Sequence, residues 1–474
     1  MKTLTLVIAT VAMLQGCNGI LSREEPKPVV PAGSRPNIVF MMVDDMGYAD
    51  LSCYGAPDAK TPNIDALANQ GVKFTQFYAN GAECTPTRAA LMTGRYPQRV
   101  KGLECAIGTG NVGRYDDAIE LANNNNLGLQ TEDAVIPKLL KEQNYTSVMF
   151  GKWHLGYEPK FNPVQYGWDR FFGVMGGNCH YFTHAELSEL PVLYINDKPV
   201  ERNGYMTHLI ANDAVSFIHN NRKRHFFLYV PFTTPHFPFQ APGDENVIFT
   251  KENWMAGTRQ TYVKMLEDMD RQVGRILDAI KGAGLDEKTV VVFCSDHGAM
   301  KPGLNTPFNG YKGGLFEGGI RAPLIVRWPG KIKPNTTSHQ VCMTMDLTKS
   351  FLRIGGAKMP GGVSPDGKPL SDVKPLDGID IIAHAEQRLP EEPRTVFWRA
   401  RRGDRTWKAV RDKSLKYIWK TEGGKVEHWM FNLETDAGET NNLIGSQPAD
   451  LLRLQALLAQ WENEMKPEIE SNDK

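Results

Sequence analysis

Short apolar runs alternate along the chain with stretches in which apolar residues recur every three to four positions. Four runs have the length of a buried strand: "PNIVFMMV", "TSVMFGK", "HFFLYVPF" and "TVVVFCS". Unbroken apolar runs of this length are typical of strands covered on both faces. The stretches between them, such as "MLEDMDRQVGRILDAIKGAGL", have helical spacing. This alternation predicts an α/β fold in which helices flank a large, mostly parallel central sheet.

Polar side chains, most of which can bind a metal ion or transfer a proton, follow each of these four predicted strands. The four strand ends carry, in chain order, Asp44-Asp45, Lys152 with His154, Thr233-Thr234 with His236, and Asp296-His297. In parallel sheets, functional groups gather outside the carboxyl ends of the strands. One such end is commonly only a turn, but four of them together predict a single site at this edge of the sheet.

The pattern changes after about residue 390. The segment "RTVFWRARRGDRTWKAVRDKSLKYIWK" alternates apolar and polar residues, as half-exposed antiparallel strands do. An amphipathic stretch, "LLRLQALLAQWENEM", follows near the end of the chain. We therefore predict a large domain over residues 36–389, which contains the predicted site, and a smaller C-terminal subdomain over 390–474, with an antiparallel sheet and a helix.

The first residues are typical of an exported lipoprotein. A basic start precedes "LTLVIATVAML", an apolar run too short to span a bilayer, and "LQGC" follows it. This pattern predicts a signal peptide over residues 1–16, acylation of Cys17, and a Pro-rich tether over residues 17–35. The expected location is the bacterial envelope, in the periplasm or at the cell surface, with the membrane contacted through the lipid on Cys17. An ordinary secretory signal that contains a cysteine is the alternative.

Composition narrows the classes of partner. Lys plus Arg and Asp plus Glu both number 54, so no overall basic field attracts nucleic acid, and we expect no nucleic-acid partner. A local cationic pocket remains compatible with this balance. The seven cysteines show no C-x-x-C spacing, which leaves disulfide pairing open.

The paired acids suggest a metal site. Adjacent carboxylates such as Asp44 and Asp45 repel each other unless a cation neutralises them. Carboxylate oxygens favour Ca²⁺ or Mg²⁺, and an imidazole from His297 softens that preference. Asp296 completes the candidate set. The alternative is that Asp45 only forms a turn and His297 is a hydrogen-bonded core residue.

Several longer motifs carry a family resemblance. "CTPTR" from Cys84, with "TGRYP" behind it, and "GKWHLG" from Gly151 are two such motifs. "PNIVFMMVDDMGYADLSCYG", "YKGGLFEGGIRAPLIVRWPG" and "MFNLETDAGETNNL" extend the resemblance over nearly all of the chain after residue 35. The sequence resembles the formylglycine-dependent sulfatases of the alkaline-phosphatase-like superfamily, in particular the arylsulfatase and N-acetylgalactosamine-6-sulfatase type.

The resemblance implies an activity and a role for each site residue. A separate maturation enzyme would oxidise Cys84 to formylglycine, whose hydrate attacks the sulfur of a sulfate ester and later expels sulfate. The implied Ca²⁺ ligands, with Mg²⁺ or Mn²⁺ as alternative ions, are Asp44, Asp45, Cys84, Asp296 and His297. The other implied roles are hydrate binding by Arg88 and Lys152, proton acceptance by His154, sulfate binding by Lys312 and leaving-group protonation by His236.

Two positions depart from the common family pattern. Thr87 stands where many members have Ser, and it keeps the hydroxyl. His297 stands where many members have Asn. Because an Asp-His-Gly segment also occurs in related phosphonate monoester and phosphodiester hydrolases, that activity is the second hypothesis.

The expected substrate is a sulfated carbohydrate, since an anchored exported enzyme meets polymers and their fragments. Arg114, His180 and His184 are candidates for the pocket rim, and "RARRGDR" could add a cationic edge for a polyanion. A third hypothesis is a noncatalytic lipoprotein that binds sulfated glycans through unmodified Cys84. The sequence leaves open the sugar, the sulfate position, exo or endo action and the oligomeric state.

Overall fold

The structure is a computed structural model that describes residues 35–133, 136–187, 192–361 and 375–465. The predicted signal peptide, the lipid attachment at Cys17 and the tether before Arg35 lie outside these residues. In the parts that are described, none of the helices combines the length and apolar character needed to cross a bilayer.

One large sheet organises the chain. Its eleven strands run in the order β10-β2-β9-β8-β1-β7-β3-β4-β5-β6, and β11 also pairs with β2. The strands are β1 (Asn37–Val43), β2 (Val72–Tyr78), β3 (Thr146–Lys152), β4 (Arg170–Val174), β5 (Leu193–Ile195), β6 (Lys198–Pro199), β7 (Phe226–Pro231), β8 (Thr289–Ser295), β9 (Arg321–Arg327), β10 (Thr336–Ser338) and β11 (Cys342–Met343).

The centre of this sheet is parallel. Strands β8, β1, β7, β3 and β4 are neighbours that run in one direction. Strand β9 is antiparallel to both β2 and β8, and β5 and β6 form an antiparallel edge. The predicted α/β fold with a mostly parallel sheet is therefore confirmed. The antiparallel strands were not predicted, because an apolar run carries no information about strand direction.

Helices cover the sheet on both faces. They are α1 (Pro62–Asn69), α2 (Cys84–Thr93), α3 (Asp116–Asn123), α4 (Ile136–Lys141), α5 (Met206–Asn220), α6 (Arg259–Gly282), α7 (Glu317–Ile320), α8 (Thr344–Ile354), α9 (Ile381–Ala385) and α10 (Pro448–Glu464). Strand β1 shows why the sheet needs both layers. Ile38, Phe40 and Met42 pack into one apolar cluster, and Val39 and Met41 pack into another. All of these side chains are buried, so neither face of the strand meets water.

The C-terminal segment forms a second, antiparallel sheet as predicted. It consists of β12 (Thr395–Arg402), β13 (Arg405–Asp412), β14 (Leu415–Glu422) and β15 (Lys425–Asn432), in that order. Helix α10 packs on it through Leu454, Leu458 and Trp461. The domain boundary at residue 390 stays a prediction, because the same apolar cluster also includes Tyr78 of the large sheet.

A buried ion cluster joins the two sheets. The Lys416 ammonium group lies 2.8 Å from a Glu317 carboxylate oxygen and 2.9 Å from a Glu439 oxygen, and all three side chains are inaccessible or nearly so. Burial raises the pKa of Glu439 to about 7, with Lys416 opposing the shift. Arg321 also lies 3.0 Å from Glu317, so the two cations together neutralise the two carboxylates, and Lys416 is the one that contacts Glu439.

We expect Lys416→Met to lower the free energy of unfolding by about 3–5 kcal/mol, because it leaves the buried Glu439 carboxylate without its cation. Denaturant unfolding followed by tryptophan fluorescence measures the change. Lys425→Met, at an exposed lysine of the same sheet, is the matched control. Equal unfolding midpoints for the two variants would contradict the role given to Lys416.

Candidate active site

The four polar strand ends meet at one edge of the sheet. Their strands, β8, β1, β7 and β3, are consecutive neighbours, and all are parallel. Their carboxyl ends are therefore adjacent, and the prediction that the polar strand ends lie at one edge of the sheet is confirmed. Asp44, Lys152, Asp296 and His297 are all fully buried there.

Cys84 is the first residue of helix α2, and it is 1% exposed. Its sulfur lies 3.3 Å from the Lys152 ammonium nitrogen, 3.3 Å from His297 Nε2 and 3.6 Å from the Lys312 ammonium nitrogen. Burial alone would raise the pKa of the Cys84 thiol, but the two lysines and His297 outweigh it and hold that pKa well below its ordinary value. The surroundings of residue 84 therefore stabilise negative charge.

Arg88 lies one helical turn after Cys84, on the same face of α2. Its guanidinium group donates to Asp296 at 3.0 Å and to the Lys152 carbonyl oxygen at 3.0 Å. It also lies 3.4 Å from Asp44. The spacing of Cys84 and Arg88 in "CTPTR" thus places a fixed cation beneath the acids.

Lysines neutralise the two acids at the end of β1. Lys152 contacts Asp44 at 2.6 Å, and Lys312 contacts both carboxylate oxygens of Asp45 at 2.6 and 2.8 Å. Burial would raise the pKa of Asp44, but Lys152 brings it to about 2. Asp45 has a φ of 64°, a left-handed conformation that Asp tolerates better than most residues. The Tyr262 hydroxyl donates to its carbonyl oxygen at 3.0 Å and helps to hold this turn.

Four of the five predicted metal ligands form a compact group. One donor atom each from Asp44, Asp45, Cys84 and His297 lies within 4.8 Å of the others. Asp296 lies beside this group, with one oxygen 3.6 Å from His297 and the other bound by Arg88. Its pKa is raised to about 7, chiefly by burial. Buried oxygen donors with one imidazole and residue 84 are a donor set that fits a divalent cation.

Two histidines lie beside residue 84. His154 Nε2 is 2.8 Å from the carbonyl oxygen of Ile107, and its Nδ1 has no hydrogen-bond partner among the described residues. Burial and Lys152 lower the pKa of His154, which keeps the ring neutral at pH 7. His236 Nδ1 is 2.8 Å from the carbonyl oxygen of Phe237, and its Nε2 is 3.1 Å from the Lys312 ammonium nitrogen.

A cavity of about 490 Å³ opens above these groups. Cys84, His154, His236 and Lys312 all line it. The predicted rim residue Arg114 also lines it, whereas His180 and His184 are not among its lining residues. His180 Nδ1 accepts backbone N–H groups of its own turn, and His184 Nε2 lies 3.0 Å from the Gly204 carbonyl oxygen. Substrate contact by these two histidines stays a prediction.

Three residues that line the cavity have no signal in the sequence: Glu83, Trp254 and Glu186. The "RARRGDR" segment, predicted as a cationic edge, contributes Arg402 and Arg405 to the lining. Its contact with a polyanion stays a prediction. Trp254 lies in a loop with no periodicity, and Glu186 carries no motif, so only the folded chain reveals them.

Two family models match the chain. The model described as Sulfatase covers residues 36–357, and the model described as N-sulphoglucosamine sulphohydrolase, C-terminal, covers residues 311–466. The second match includes the antiparallel sheet and α10.

Curated relatives and a solved structure agree with these matches. N-acetylgalactosamine-6-sulfatase of Rattus norvegicus is 34% identical over 387 residues, which is 77% of this chain and 67% of the relative. Arylsulfatase A of Homo sapiens is 32% identical over 462 residues, 86% of this chain and 83% of the relative. The crystal structure of Ps i-CgsB in complex with k-i-k-neocarrahexaose aligns with a TM-score of 0.76 at 29% identity, covering 91% of this chain and 94% of that chain. With the site geometry, these matches show that the chain belongs to the sulfatase family, enzymes that hydrolyse sulfate esters.

Proposed function

We propose that this sulfatase removes sulfate from a sulfated carbohydrate, with a formylglycine made from Cys84 as the reacting residue. The observation that carries the proposal is the surroundings of Cys84, where Lys152, Lys312 and His297 contact one sulfur atom at the base of a cavity. A sulfate group is anionic and gains further negative charge as its ester bond breaks, so these cations are suited to it. The similarity to N-acetylgalactosamine-6-sulfatase and to Ps i-CgsB, solved in complex with k-i-k-neocarrahexaose, supports a sugar substrate.

The proposed metal is Ca²⁺, held by Asp44, Asp45, His297 and residue 84, with Asp296 beside them. A bound divalent ion polarises sulfate oxygens and lowers the pKa of a nearby hydroxyl. Asp44 and Asp45 are each also in contact with a lysine ammonium group at 2.6 Å, so the lysines contribute to neutralising these two carboxylates. Mg²⁺ and Mn²⁺ are the alternative ions that this donor set allows.

The proposed formylglycine hydrate supplies one hydroxyl to attack sulfur and a second to release sulfate by elimination. The chain's own residues position it. Lys152 contacts both Asp44 and residue 84, so it fixes the position of the side chain that reacts. His154, neutral and with a free Nδ1, is placed to accept the proton lost in the elimination.

Two further residues, Lys312 and His236, are placed to act on the sulfate group and on the leaving group. Lys312 lies 3.6 Å from the Cys84 sulfur and is positioned to bind sulfate oxygens. His236 lines the same cavity, with its Nε2 3.1 Å from that ammonium group, and this places it to donate a proton to the departing sugar oxygen. A sugar alkoxide is a poor leaving group, and its departure therefore depends on this proton.

We propose further that a separate maturation enzyme oxidises Cys84, and that the mature protein is a lipid-anchored protein of the bacterial envelope. The C-x-P-x-R motif supports the first statement and the N-terminal pattern ending at Cys17 supports the second.

Replacing Cys84 tests the nucleophile. Cys84→Ala and Cys84→Ser, each co-expressed with a maturation enzyme that acts on cysteine but not on serine, should lose at least about 10³-fold in kcat because neither side chain is converted to an aldehyde. The measurements are sulfate release from N-acetylgalactosamine 6-sulfate and mass spectrometry of the peptide that contains residue 84. Cys53→Ser is the control for loss of a thiol. Sustained turnover by either Cys84 variant, or an intact thiol in active wild-type protein, would refute the assignment of residue 84 as the nucleophile.

The same assay separates the two proposed activities. Faster turnover of a phosphonate monoester than of the sulfate ester of the same alcohol would favour the phosphonate monoester hydrolase hypothesis.

The metal site is tested by metal content. Asp45→Asn should lose most of its bound Ca²⁺, because a neutral amide replaces one carboxylate of a compact group. Elemental analysis of purified protein and the thermal shift on adding Ca²⁺ report binding without any assay of activity. Asp268→Asn, at a carboxylate paired with Arg271 outside the group, is the control. Metal content equal to that of the wild type would exclude Asp45 as a ligand.

The proton donor is tested by leaving-group dependence. His236→Gln should lower kcat/KM for N-acetylgalactosamine 6-sulfate by about 100-fold or more, and for 4-nitrophenyl sulfate by less than about tenfold, because nitrophenolate departs without a proton. Steady-state kinetics on both substrates measure the split. If the two losses are equal, His236 does not act as the general acid.

A further inference from the structure

Three arginines share the wall of the catalytic cavity: Arg114, Arg402 and Arg405. They come from two segments in contact with each other. Arg402 and Arg405 are paired residues flanking the turn between β12 and β13, and the Gly403 N–H within that turn donates to the Arg114 carbonyl oxygen. The C-terminal sheet therefore completes a wall of the site that the large domain begins.

Acids neutralise these arginines unequally. Arg402 is bound by Glu83 at 2.6 Å. Arg405 reaches its nearest acidic partner, Glu422, only at 4.0 Å. Arg114 donates through Nε to the Ala106 carbonyl oxygen at 3.0 Å and makes no ion pair with a carboxylate in the described part of the chain.

Neighbouring arginines on the same strand behave differently. Arg399 and Arg401, also on β12, both contact Glu104 within 2.9 Å. Arg399 and Arg401 are not among the residues that line the cavity. Of the three arginines that do line it, Arg402 is paired with Glu83, and Arg114 and Arg405 keep their charge without a close acid in the described part of the chain. A guanidinium group has five N–H donors, so both retain donors for a ligand.

This charge is separate from the cations that serve the reacting sulfate. Those cations, Lys152, Lys312 and His297, contact residue 84 itself. Arg405 lies near Gly313, the residue that follows Lys312 in the chain. A Cβ atom placed on Gly313 would be 3.9 Å from the Nη2 atom of Arg405. An anionic group near Arg405 can therefore be bound while another occupies the site at Lys312.

We propose that Arg114 and Arg405, with Arg402 alongside them, form a subsite for a second anionic group of the glycan, a sulfate or a uronate carboxylate. The proposal rests on the proposed glycan substrate and adds that the preferred glycan carries more than one negative charge. Arginine suits both groups because its planar donors match their oxygens in pairs. Trp254 and Met255 on the same cavity offer apolar surface to the sugar ring.

Calorimetric titration tests the subsite in the Cys84→Ala background, where nothing turns over. The probes are N-acetylgalactosamine 6-sulfate, its 4,6-disulfate, and the disaccharide that joins the 6-sulfated sugar to glucuronate. We expect the second sulfate or the carboxylate to tighten binding about tenfold, with the gain falling as salt is raised. The two charged probes distinguish the sulfate from the carboxylate.

Adding Arg114→Gln or Arg405→Gln should remove most of this gain, whereas Arg453→Gln should keep it. Arg453 is an exposed arginine of α10, bound to Asp412 at 2.6 Å, and it controls for the loss of one positive charge. Equal affinity for all three probes, no binding of any of them, or a gain that persists in both variants overturns the subsite. Failure of the proposed function is a separate result, because it is read from sulfate release by the matured enzyme that retains residue 84.

Discussion

The structure depends on balancing charge at a place that water does not reach. Asp44, Asp45 and Asp296 lie at the tips of two adjacent strands, and each is at most 1% exposed. Carboxylates in such a position are stable only if cations reach them with short contacts. Lys152, Lys312 and Arg88 do so from three different segments. Neutralising these carboxylates is therefore needed for a stable fold as well as for the chemistry of the site.

Much of this arrangement could be predicted from the sequence, because its parts are local. The apolar runs that became β1, β3, β7 and β8 were visible, as were the polar residues after each of them. A parallel sheet then brings those residues together without any further information. The "CTPTR" motif likewise places Cys84 and Arg88 on one face of a helix, since four residues make about one turn.

What could not be predicted are contacts between distant segments. Glu83 and Arg402 form an ion pair although 319 positions separate them in the chain. The pattern of apolar and polar residues gives no information about such a partner. The antiparallel direction of β9 could not be predicted either, since it depends on which strands lie beside it in the sheet. His180 and His184 were chosen by residue type alone. One ring nitrogen of each contacts backbone groups and neither residue lines the cavity, so the substrate contact predicted for them stays a prediction.

The burial of residue 84 has a consequence for timing. At 1% exposure, and enclosed by strand tips and by a wall from the C-terminal sheet, Cys84 lies too deep for another folded protein to grasp. If a second enzyme installs the aldehyde, as we propose, it has to act while the nascent polypeptide is still open. Folding and oxidation of Cys84 then compete kinetically, so a variant that folds faster would yield more protein without the aldehyde.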